Sequence, residues 1–260
     1  MRLAIDVDMN YALEGDDPAL LIITVAQTTG QTVLSSDLDI ENSTLRWIDG
    51  EGNVGQKVRA ITKGGNLRLR YSAKVDVIRP DVDLPSLAAT PLHALPKDVA
   101  TYLRPSRLCP SDMLRPFADA RFGHLEGGAK IAAIHDWTSS SLAYVPGSSC
   151  GTTTAYDTFV MRQGVCRDYA QLVCGLARAA NIPARYVTGY GADVDPADFH
   201  AVAEVWLDGA WHLVDATGMS TASGLAIIGT GRDAADVSFM ETEKEATLIH
   251  QRIRVSVDAE

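Results

Sequence analysis

Cys166 stands where a glycine-containing turn meets a long predicted helix, in the stretch R-Q-G-V-C-R-D-Y-A from Arg162 to Ala170. The backbone N–H groups at a helix N-terminus are unpaired, and together with the helix dipole they stabilise a negative charge. A thiol at this position is therefore favoured as a thiolate nucleophile. The alternative is that Cys166 is a small apolar residue at the start of a buried helix.

A predicted hairpin further along the chain brings a histidine and an aspartate together. Its two strands, H-A-V-A-E-V-W-L and A-W-H-L-V-D-A, are joined by Asp208-Gly209, a strong signal for a two-residue turn. With that turn, His200 and Asp215 are diagonal neighbours on one face of the sheet, within side-chain reach. A three-residue turn with a bulge would shift the facing residue without removing this proximity. The sequence therefore predicts a hydrogen bond between the imidazole and the carboxylate.

These three residue types are sufficient for acyl transfer. Cys166 is predicted to act as the nucleophile, His200 as base and then acid, and Asp215 as the group that holds the imidazole in one tautomer. The backbone N–H of Cys166 can supply one donor of an oxyanion hole. The second donor stays open among three candidates that could also line the substrate site: Gln163, Tyr156 and Trp137.

The elements that must position these residues divide the chain into three predicted regions. Residues 1–78 alternate between strand patterns and glycine-containing turns, which predicts a β-rich N-terminal domain. Residues 79–110 contain six prolines and no sustained periodicity, which predicts an extended connector with a short helix near 97–103. Residues 111–260 form the predicted catalytic domain.

Within the predicted catalytic domain, helical spacing is found over 111–122 and 127–141, and the helix that begins at Cys166 runs to the Asn-Ile-Pro that closes it. The period then changes to two, which predicts a strand over 184–190 and the two hairpin strands. A loop-rich region precedes a final strand at 252–257. Helices followed by an antiparallel sheet indicate an α+β fold.

The charge of the chain limits its partners. The formal net charge is −10, and residues 193–260 carry 13 acidic and 4 basic residues. A negative protein repels phosphate backbones and anionic lipids, so neither nucleic acid nor a membrane surface is an expected partner. We interpret the acidic residues as a solvated surface, with a preference for cationic or amine-bearing substrates as the alternative.

The location expected from the sequence is cytoplasmic and reducing. The longest apolar run, at 20–26, is too short to span a bilayer, and the N-terminus shows no signal-peptide pattern. The cysteines have no C-x-x-C spacing and are too sparse for a disulfide framework. Apart from Cys166 they are predicted to be structural: Cys109, Cys150 and Cys174. No metal site is expected, because His200 and His212 fall on opposite faces of the predicted sheet.

Three blocks of the chain resemble the core of the bacterial transglutaminase-like superfamily. They are Y-D-T-F-V-M-R-Q-G-V-C-R-D-Y-A-Q-L-V-C-G-L-A-R-A-A-N-I-P-A-R-Y-V-T-G-Y at 156–190, D-F-H-A-V-A-E-V-W-L-D-G-A-W-H-L-V-D-A-T at 198–217 and G-R-D-A-A-D-V-S at 231–238. The β-rich N-terminal region, with its G-E-G-N turn at 50–53, is similar to the domain that often precedes this core.

The resemblance implies a papain-like fold, in which the nucleophile helix packs on an antiparallel sheet, and a thiol triad of Cys166, His200 and Asp215. Related domains include peptidases, amidases, protein cross-linking transglutaminases and amine acyltransferases. A peptide or protein substrate is therefore expected, with an amine as a further acceptor, and no cofactor. Gln171 and Val202 stand where family members commonly have a histidine and an aromatic residue, so the packing beside the site is expected to differ.

The sequence favours a hydrolytic enzyme, a peptidase or amidase, because water is ubiquitous and no calcium-ligand spacing indicates regulated cross-linking. Transfer to an amine, as in a transglutaminase, is the first alternative, and the same triad would serve it. The residues R-Q-G-V-C depart from the R-G-G-x-C pattern of arylamine acetyltransferases. A non-catalytic binding module that keeps the fold is the alternative of another class, and the three intact residues argue against it.

Overall fold

The computed structural model describes residues 1–15 and 17–258. Its first part consists of antiparallel strands joined by turns, as the alternating pattern predicts. In the first and the last of these strands the odd-numbered side chains are buried, so each strand contributes one apolar face to the core. The strands are β1 (Arg2–Ala12), β2 (Ala19–Leu21), β3 (Gln31–Ile40), β4 (Ser43–Asp49), β5 (Gln56–Thr62) and β6 (Asn66–Val77).

The helices follow the proline-rich connector. They are α1 (Lys97–Ala100), α2 (Ser111–Phe122), α3 (Gly127–Ser141), α4 (Ala155–Met161) and α5 (Cys166–Ala179). The bounds of α2 and α3 are those predicted, whereas α4 was not predicted. It begins at a capping box, in which Thr154 and Asp157 each accept the backbone N–H of the other. Of the described helices, none is long and apolar enough to cross a membrane.

A helix packed on an antiparallel sheet forms the second part. Two short strands, β7 (Ala143–Tyr144) and β8 (Gln163–Gly164), pair in parallel just before α5. The sheet itself has the order β11-β10-β9-β12 and consists of β9 (Ala184–Gly191), β10 (Phe199–Leu207), β11 (Ala210–Val214) and β12 (Leu225–Gly231). The helix α5 packs on β9 and β10. Since β12 falls in the region predicted to be loop-rich, that expectation is wrong there.

The C-terminal strands β13 (Met240–Thr242) and β14 (Thr247–Val257) join the N-terminal sheets. One sheet has the order β14-β1-β6-β3 and the other the order β13-β2-β5-β4. The predicted division into 1–78, 79–110 and 111–260 assigns both strands to the catalytic domain, whereas their pairing joins them to the N-terminal region. Periodicity identifies a strand but not a partner that lies far away in the chain.

Buried polar contacts hold the hairpin sheet against the N-terminal region. The side chain of Gln31 is fully buried, and its Nε2 donates to the carbonyl oxygens of Ala26 at 2.6 Å and Ile227 at 2.8 Å. Its Oε1 accepts the N–H of Ile227 at 2.8 Å. Tyr190 on β9 donates its hydroxyl to the carbonyl oxygen of Ile23 at 2.8 Å. These bonds satisfy buried backbone groups, and they fix the sheet that carries the hairpin.

Candidate active site

Cys166 is the first residue of α5, and its side chain is half-buried. The carboxylate of Asp168, in the first turn of the helix, is buried and accepts the N–H of Val165 at 2.8 Å and the hydroxyl of Ser149. An acidic residue here satisfies a free N–H group and interacts favourably with the helix dipole. Asp168 therefore fixes the backbone from which Cys166 projects.

The hairpin has the predicted two-residue turn. Asp208 and Gly209 have φ angles of 50° and 75°, the positive values that a type I′ turn requires. His200 lies near the start of β10, and Asp215 follows the last residue of β11. The imidazole Nε2 lies 2.8 Å from the carboxylate Oδ2. The predicted contact between these two side chains is therefore confirmed.

Asp215 is held by two further residues that sequence reasoning missed. Its Oδ1 accepts the N–H of Thr217 at 2.9 Å and the Thr217 hydroxyl at 2.6 Å. Its Oδ2 accepts the N–H of Ser220 at 2.9 Å and the Ser220 hydroxyl at 2.7 Å. Burial raises the pKa of Asp215, but these bonds and the interaction with His200 outweigh it and lower the pKa. An aspartate followed by hydroxyl residues in a glycine-containing turn is a signal that could have identified them.

His200 is buried, with 1% of its surface exposed. Burial lowers its pKa, but the hydrogen bond to Asp215 and the neighbouring thiol of Cys166 outweigh this and raise the pKa to about 9. The second ring nitrogen, Nδ1, is buried and has no partner within hydrogen-bond geometry in the described chain. Since Nε2 is occupied by Asp215, Nδ1 is the atom that can exchange a proton with the thiol. The imidazole thus holds a proton beside Cys166 at neutral pH.

Two tyrosines that the sequence analysis did not single out stand beside Cys166. Tyr144 lies on β7, and its pKa is raised first by burial and then by the thiol of Cys166. Tyr186 lies on β9, and the same two causes raise its pKa well above the ordinary value. Both hydroxyls are therefore protonated and able to donate. No spacing rule reveals either residue, because strand pairing and helix packing bring them to Cys166.

The three candidates for the second oxyanion donor are spread over different elements. Trp137 belongs to an aromatic cluster and lies 4.7 Å from Phe117 between ring centroids. Tyr156 stacks on Phe159 at 6.2 Å, and Gln163 lies on β8. Within the described chain, none of the three makes a hydrogen bond with Cys166, His200 or Asp215.

The helix α3 presents a different residue to the site. Nε2 of His135 lies 3.1 Å from the backbone oxygen of Asp215, and its Nδ1 lies 2.9 Å from the carboxylate of Asp136. Successive residues of a helix are about 100° apart, so Trp137, two positions later, projects from nearly the opposite side. This geometry explains why the indole packs in the aromatic cluster instead of beside the carboxylate.

Gln171 and Val202, the two residues that differ from the family pattern, are buried. Nε2 of Gln171 donates to the carbonyl oxygen of Thr153 at 3.3 Å, which ties α5 to the loop before α4. Val202 lies in a small apolar cluster with residues of β9 and β12, among them Val187 and Ile227. Both side chains are therefore part of the support around the site.

The cysteines occupy contrasting environments. Cys109 and Cys174 are fully buried, and burial raises the pKa of each thiol. Cys150 is exposed, and hydrogen bonds from Thr152 and Thr153 lower its pKa to about 7. Cys150 was predicted to be structural, but its thiol is exposed and would compete with Cys166 for thiol reagents.

A metal centre finds no support in the described part of the chain. No group of three or more histidine, cysteine, aspartate or glutamate side chains there could hold an ion. His212 pairs with Val205 across the hairpin, so it projects from the sheet face opposite to His200. Its Nε2 lies 3.1 Å from the carbonyl oxygen of Leu207.

Comparison with known proteins agrees with this architecture. The transglutaminase-like superfamily core matches residues 120–216, a range that includes Cys166, His200 and Asp215. The crystal structure of a "Putative Cysteine Protease from Cytophaga hutchinsonii" is 33% identical, covers 100% of this chain and 92% of that chain, and superposes with a TM-score of 0.94. The core, in which α5 packs on an antiparallel sheet, has a papain-like fold, and a β-rich region precedes it.

Two curated mycobacterial proteins are similar to parts of this chain. An uncharacterized protein of Mycobacterium leprae is 30% identical over 117 residues, which are 42% of this chain and 42% of that protein. An uncharacterized protein of Mycobacterium tuberculosis is 29% identical over 227 residues, 76% of this chain and 70% of that protein. The chain belongs to the transglutaminase-like superfamily, and the comparisons support a cysteine-dependent enzyme.

Proposed function

We propose that the protein hydrolyses amide or peptide bonds through Cys166, His200 and Asp215. The observation that carries this proposal is the buried imidazole of His200. One of its ring nitrogens is bound to a carboxylate, and the other has no hydrogen-bond partner in the described chain. The imidazole interacts with the thiol of Cys166, which lies at a helix N-terminus. This arrangement supports a thiolate paired with an imidazolium, the form in which a cysteine attacks a carbonyl carbon.

The proposed reaction begins with attack of the Cys166 sulfur on the carbonyl carbon. The electron pair of the C=O bond moves to oxygen, and the backbone N–H of Cys166 donates to that oxyanion. The C–N bond then breaks as Nδ1 of His200 gives its proton to the departing amine. A water molecule, deprotonated by the now neutral imidazole, attacks the thioester and releases the acid and the thiol.

Asp215 has a positioning role in this proposal. Its carboxylate holds Nε2 of His200, so the proton on the imidazole that moves is the one on Nδ1. The four hydrogen bonds from Thr217 and Ser220 keep the carboxylate ionised and fix its orientation. The imidazolium is thereby stabilised without proton transfer to the aspartate.

Transfer to an amine is the second candidate, and one observation favours it. Asp198 stands two residues before His200, and its negative charge contributes to the raised pKa of Tyr144. Asp198 is exposed, and one of its oxygens, Oδ1, accepts the bonds from Phe199 and Gln251. A carboxylate at this position would attract a protonated amine and raise its local concentration.

Product analysis separates these functions. The Cys150→Ser protein and the Cys150→Ser/Cys166→Ala protein are incubated with a peptide library, with and without a primary amine, and the products are read by mass spectrometry. Hydrolysis gives cleaved or deamidated peptides, whereas transfer adds the mass of the amine. We expect cleavage or deamidation that disappears with Cys166→Ala. Products that persist without Cys166 would overturn the proposal, and an absence of any product would favour the non-catalytic binding module.

A further inference from the structure

Tyr144 is held next to the nucleophile by its backbone. On β7 it pairs in parallel with Gly164 of β8, and Val145 donates its N–H to the carbonyl oxygen of Gly164 at 2.9 Å. A Cβ atom at Gly164 would lie 2.5 Å from the Cβ of Asp168, so this backbone is pressed against the first turn of α5. The position of Tyr144 relative to Cys166 is therefore determined by close packing.

The ring of Tyr144 is held by a second tyrosine. Tyr169 lies three residues after Cys166 on α5, a spacing that puts both on one side of the helix. The rings of Tyr144 and Tyr169 are 6.0 Å apart between centroids, and the Tyr169 hydroxyl donates to the carbonyl oxygen of Leu142 at 2.9 Å. Tyr144 is nevertheless 40% exposed. One side of its ring is thus packed while the rest is open to an incoming substrate.

The hydroxyl of Tyr144 keeps its proton and can donate it in a hydrogen bond to the reacting atoms. It lies near enough to Cys166 that both the thiol and the backbone N–H influence its ionisation. Burial raises the pKa of Tyr144 first, and the negative charges of the Cys166 thiolate and Asp198 raise it further. The phenol therefore keeps its proton in the presence of a thiolate. A protonated hydroxyl beside a sulfur anion offers its hydrogen to that anion.

We propose that the hydroxyl of Tyr144 is the second donor of the oxyanion hole, beside the backbone N–H of Cys166. This inference rests on the proposed function. In the resting enzyme the hydroxyl donates to the thiolate. When sulfur attacks the carbonyl carbon, the negative charge passes from sulfur to the carbonyl oxygen, and the hydroxyl donates to that oxygen. No proton is transferred. The hydrogen bond from the hydroxyl changes its acceptor from the sulfur to the carbonyl oxygen as the negative charge moves.

The inference is tested by two reagents that differ in one respect. Iodoacetamide alkylates a thiolate without forming an oxyanion, whereas p-nitrophenyl acetate acylates it through an oxyanion. Rates are measured for the Cys150→Ser protein with and without Tyr144→Phe, because the exposed thiol of Cys150 would also react. We expect Tyr144→Phe to slow acylation of Cys166 by about 10²-fold and to leave its alkylation within a few-fold. Tyr102→Phe is the matched control and is expected to leave both rates unchanged, because the Tyr102 ring packs against Trp211, 5.4 Å away between centroids. Tyr156→Phe tests the other tyrosine candidate.

The possible outcomes separate the two proposals. If the parent protein is not acylated by the ester while Cys166 is alkylated, the proposed function fails and the inference fails with it. If the parent is acylated and Tyr144→Phe reacts equally fast, only the inference fails. Faster acylation of Tyr144→Phe would show that the phenol obstructs the oxyanion position, which also overturns the inference. A loss with Tyr156→Phe and none with Tyr144→Phe would move the role to Tyr156.

Discussion

The first turn of α5 and the rest of that helix contain the same residue types in different environments. Cys166 and Cys174 lie on one helix, yet Cys166 is half-buried beside an imidazole, whereas Cys174 is fully buried and burial raises its pKa. The charged residues of the helix also have separate roles: Asp168 fixes the backbone at Cys166, whereas Arg178 joins distant segments. Neighbouring groups, rather than residue type, therefore decide which thiol of this helix can react.

Arg178 shows what the buried part of α5 does. Its guanidinium is fully buried and donates to the carbonyl oxygens of Ala184 at 2.9 Å, Arg104 at 3.4 Å and Arg232, and to the hydroxyl of Ser106 at 3.2 Å. These acceptors belong to β9, the connector and the segment after β12. The buried part of the helix therefore joins distant segments, while its first turn holds the proposed nucleophile.

The largest expected effect is a loss of activity when Cys166, but not Cys174, is replaced. Cys166→Ala removes the nucleophile, so kcat/KM for amide hydrolysis should fall by at least about 10⁴-fold. Cys174→Ala should keep near-normal kcat/KM and lower the free energy of unfolding by about 1–2 kcal/mol, because it leaves a small cavity. Steady-state kinetics and thermal unfolding of both variants are the measurements. Comparable loss of activity in Cys174→Ala would remove the distinction between the two regions.

A smaller loss of activity is expected when Asp215, which orients His200, is replaced. Asp215→Asn removes the charge that holds His200, and kcat should fall by about 10²- to 10⁴-fold. Asp208→Asn is the matched control, because asparagine tolerates the positive φ of the turn. Its kinetics should match those of the wild type, and a similar loss there would mean that hairpin geometry, not the carboxylate, limits the rate.

The pH dependence gives the same substitution a second readout. His200 has a raised pKa of about 9, so the proton it must give to the amine is present below that pH. Activity should decline as the pH rises through about 9. Hydrogen bonding and the charge of Asp215 raise this pKa, so Asp215→Asn should move the alkaline limb of the kcat profile to lower pH. If the alkaline limb stays at the same pH in Asp215→Asn, that limb reports the titration of a group other than His200.

In the buried part of the helix a substitution should affect stability rather than chemistry. Arg178→Lys keeps the charge but cannot reproduce the planar set of donors, so backbone acceptors lose their partners. We expect the free energy of unfolding to fall by about 2–3 kcal/mol, measured by denaturant titration. Arg115→Lys on the exposed face of α2 serves as the control and should change it by less than about 0.5 kcal/mol. Equal effects of the two variants would show that the buried network contributes little.

The smallest loss of activity is expected from replacing Ser220, a hydrogen-bond donor to the carboxylate of Asp215. Ser220→Ala removes the hydroxyl donor to Asp215 but keeps the backbone N–H, so kcat should fall by roughly tenfold or less. Steady-state kinetics at constant pH is the measurement. A loss as large as that of Asp215→Asn would mean that the hydroxyl acts on more than the orientation of the carboxylate.

Much of the fold was predictable where the signal is local. The bounds of α2 and α3 follow from helical spacing, and the contact of His200 with Asp215 follows from the Asp208-Gly209 turn. The capping box of Thr154 and Asp157, which begins α4, is likewise a local signal in the sequence. Such features depend on residues within a few positions of one another, so their geometry is set by the backbone alone.

Other features depend on partners that no local pattern identifies. The strand β14 pairs with β1 across almost the whole chain, although the sequence suggests only that it is a strand. Tyr144 reaches Cys166 because two-residue strands pair in parallel, and strands this short have no periodicity to detect. Gln31 looks like an ordinary polar residue, yet it is buried between two sheets.

The sequence by itself determined which residues could do chemistry and how the hairpin aligns the base with its carboxylate. A turn type and a helix start are sufficient for that, since both act over short distances along the chain. Only the tertiary structure decided which tyrosines lie near Cys166, which cysteines are buried and which sheet the last strand joins. Those outcomes follow from packing between segments far apart in the chain, where burial and close contact, rather than local backbone preference, determine the arrangement.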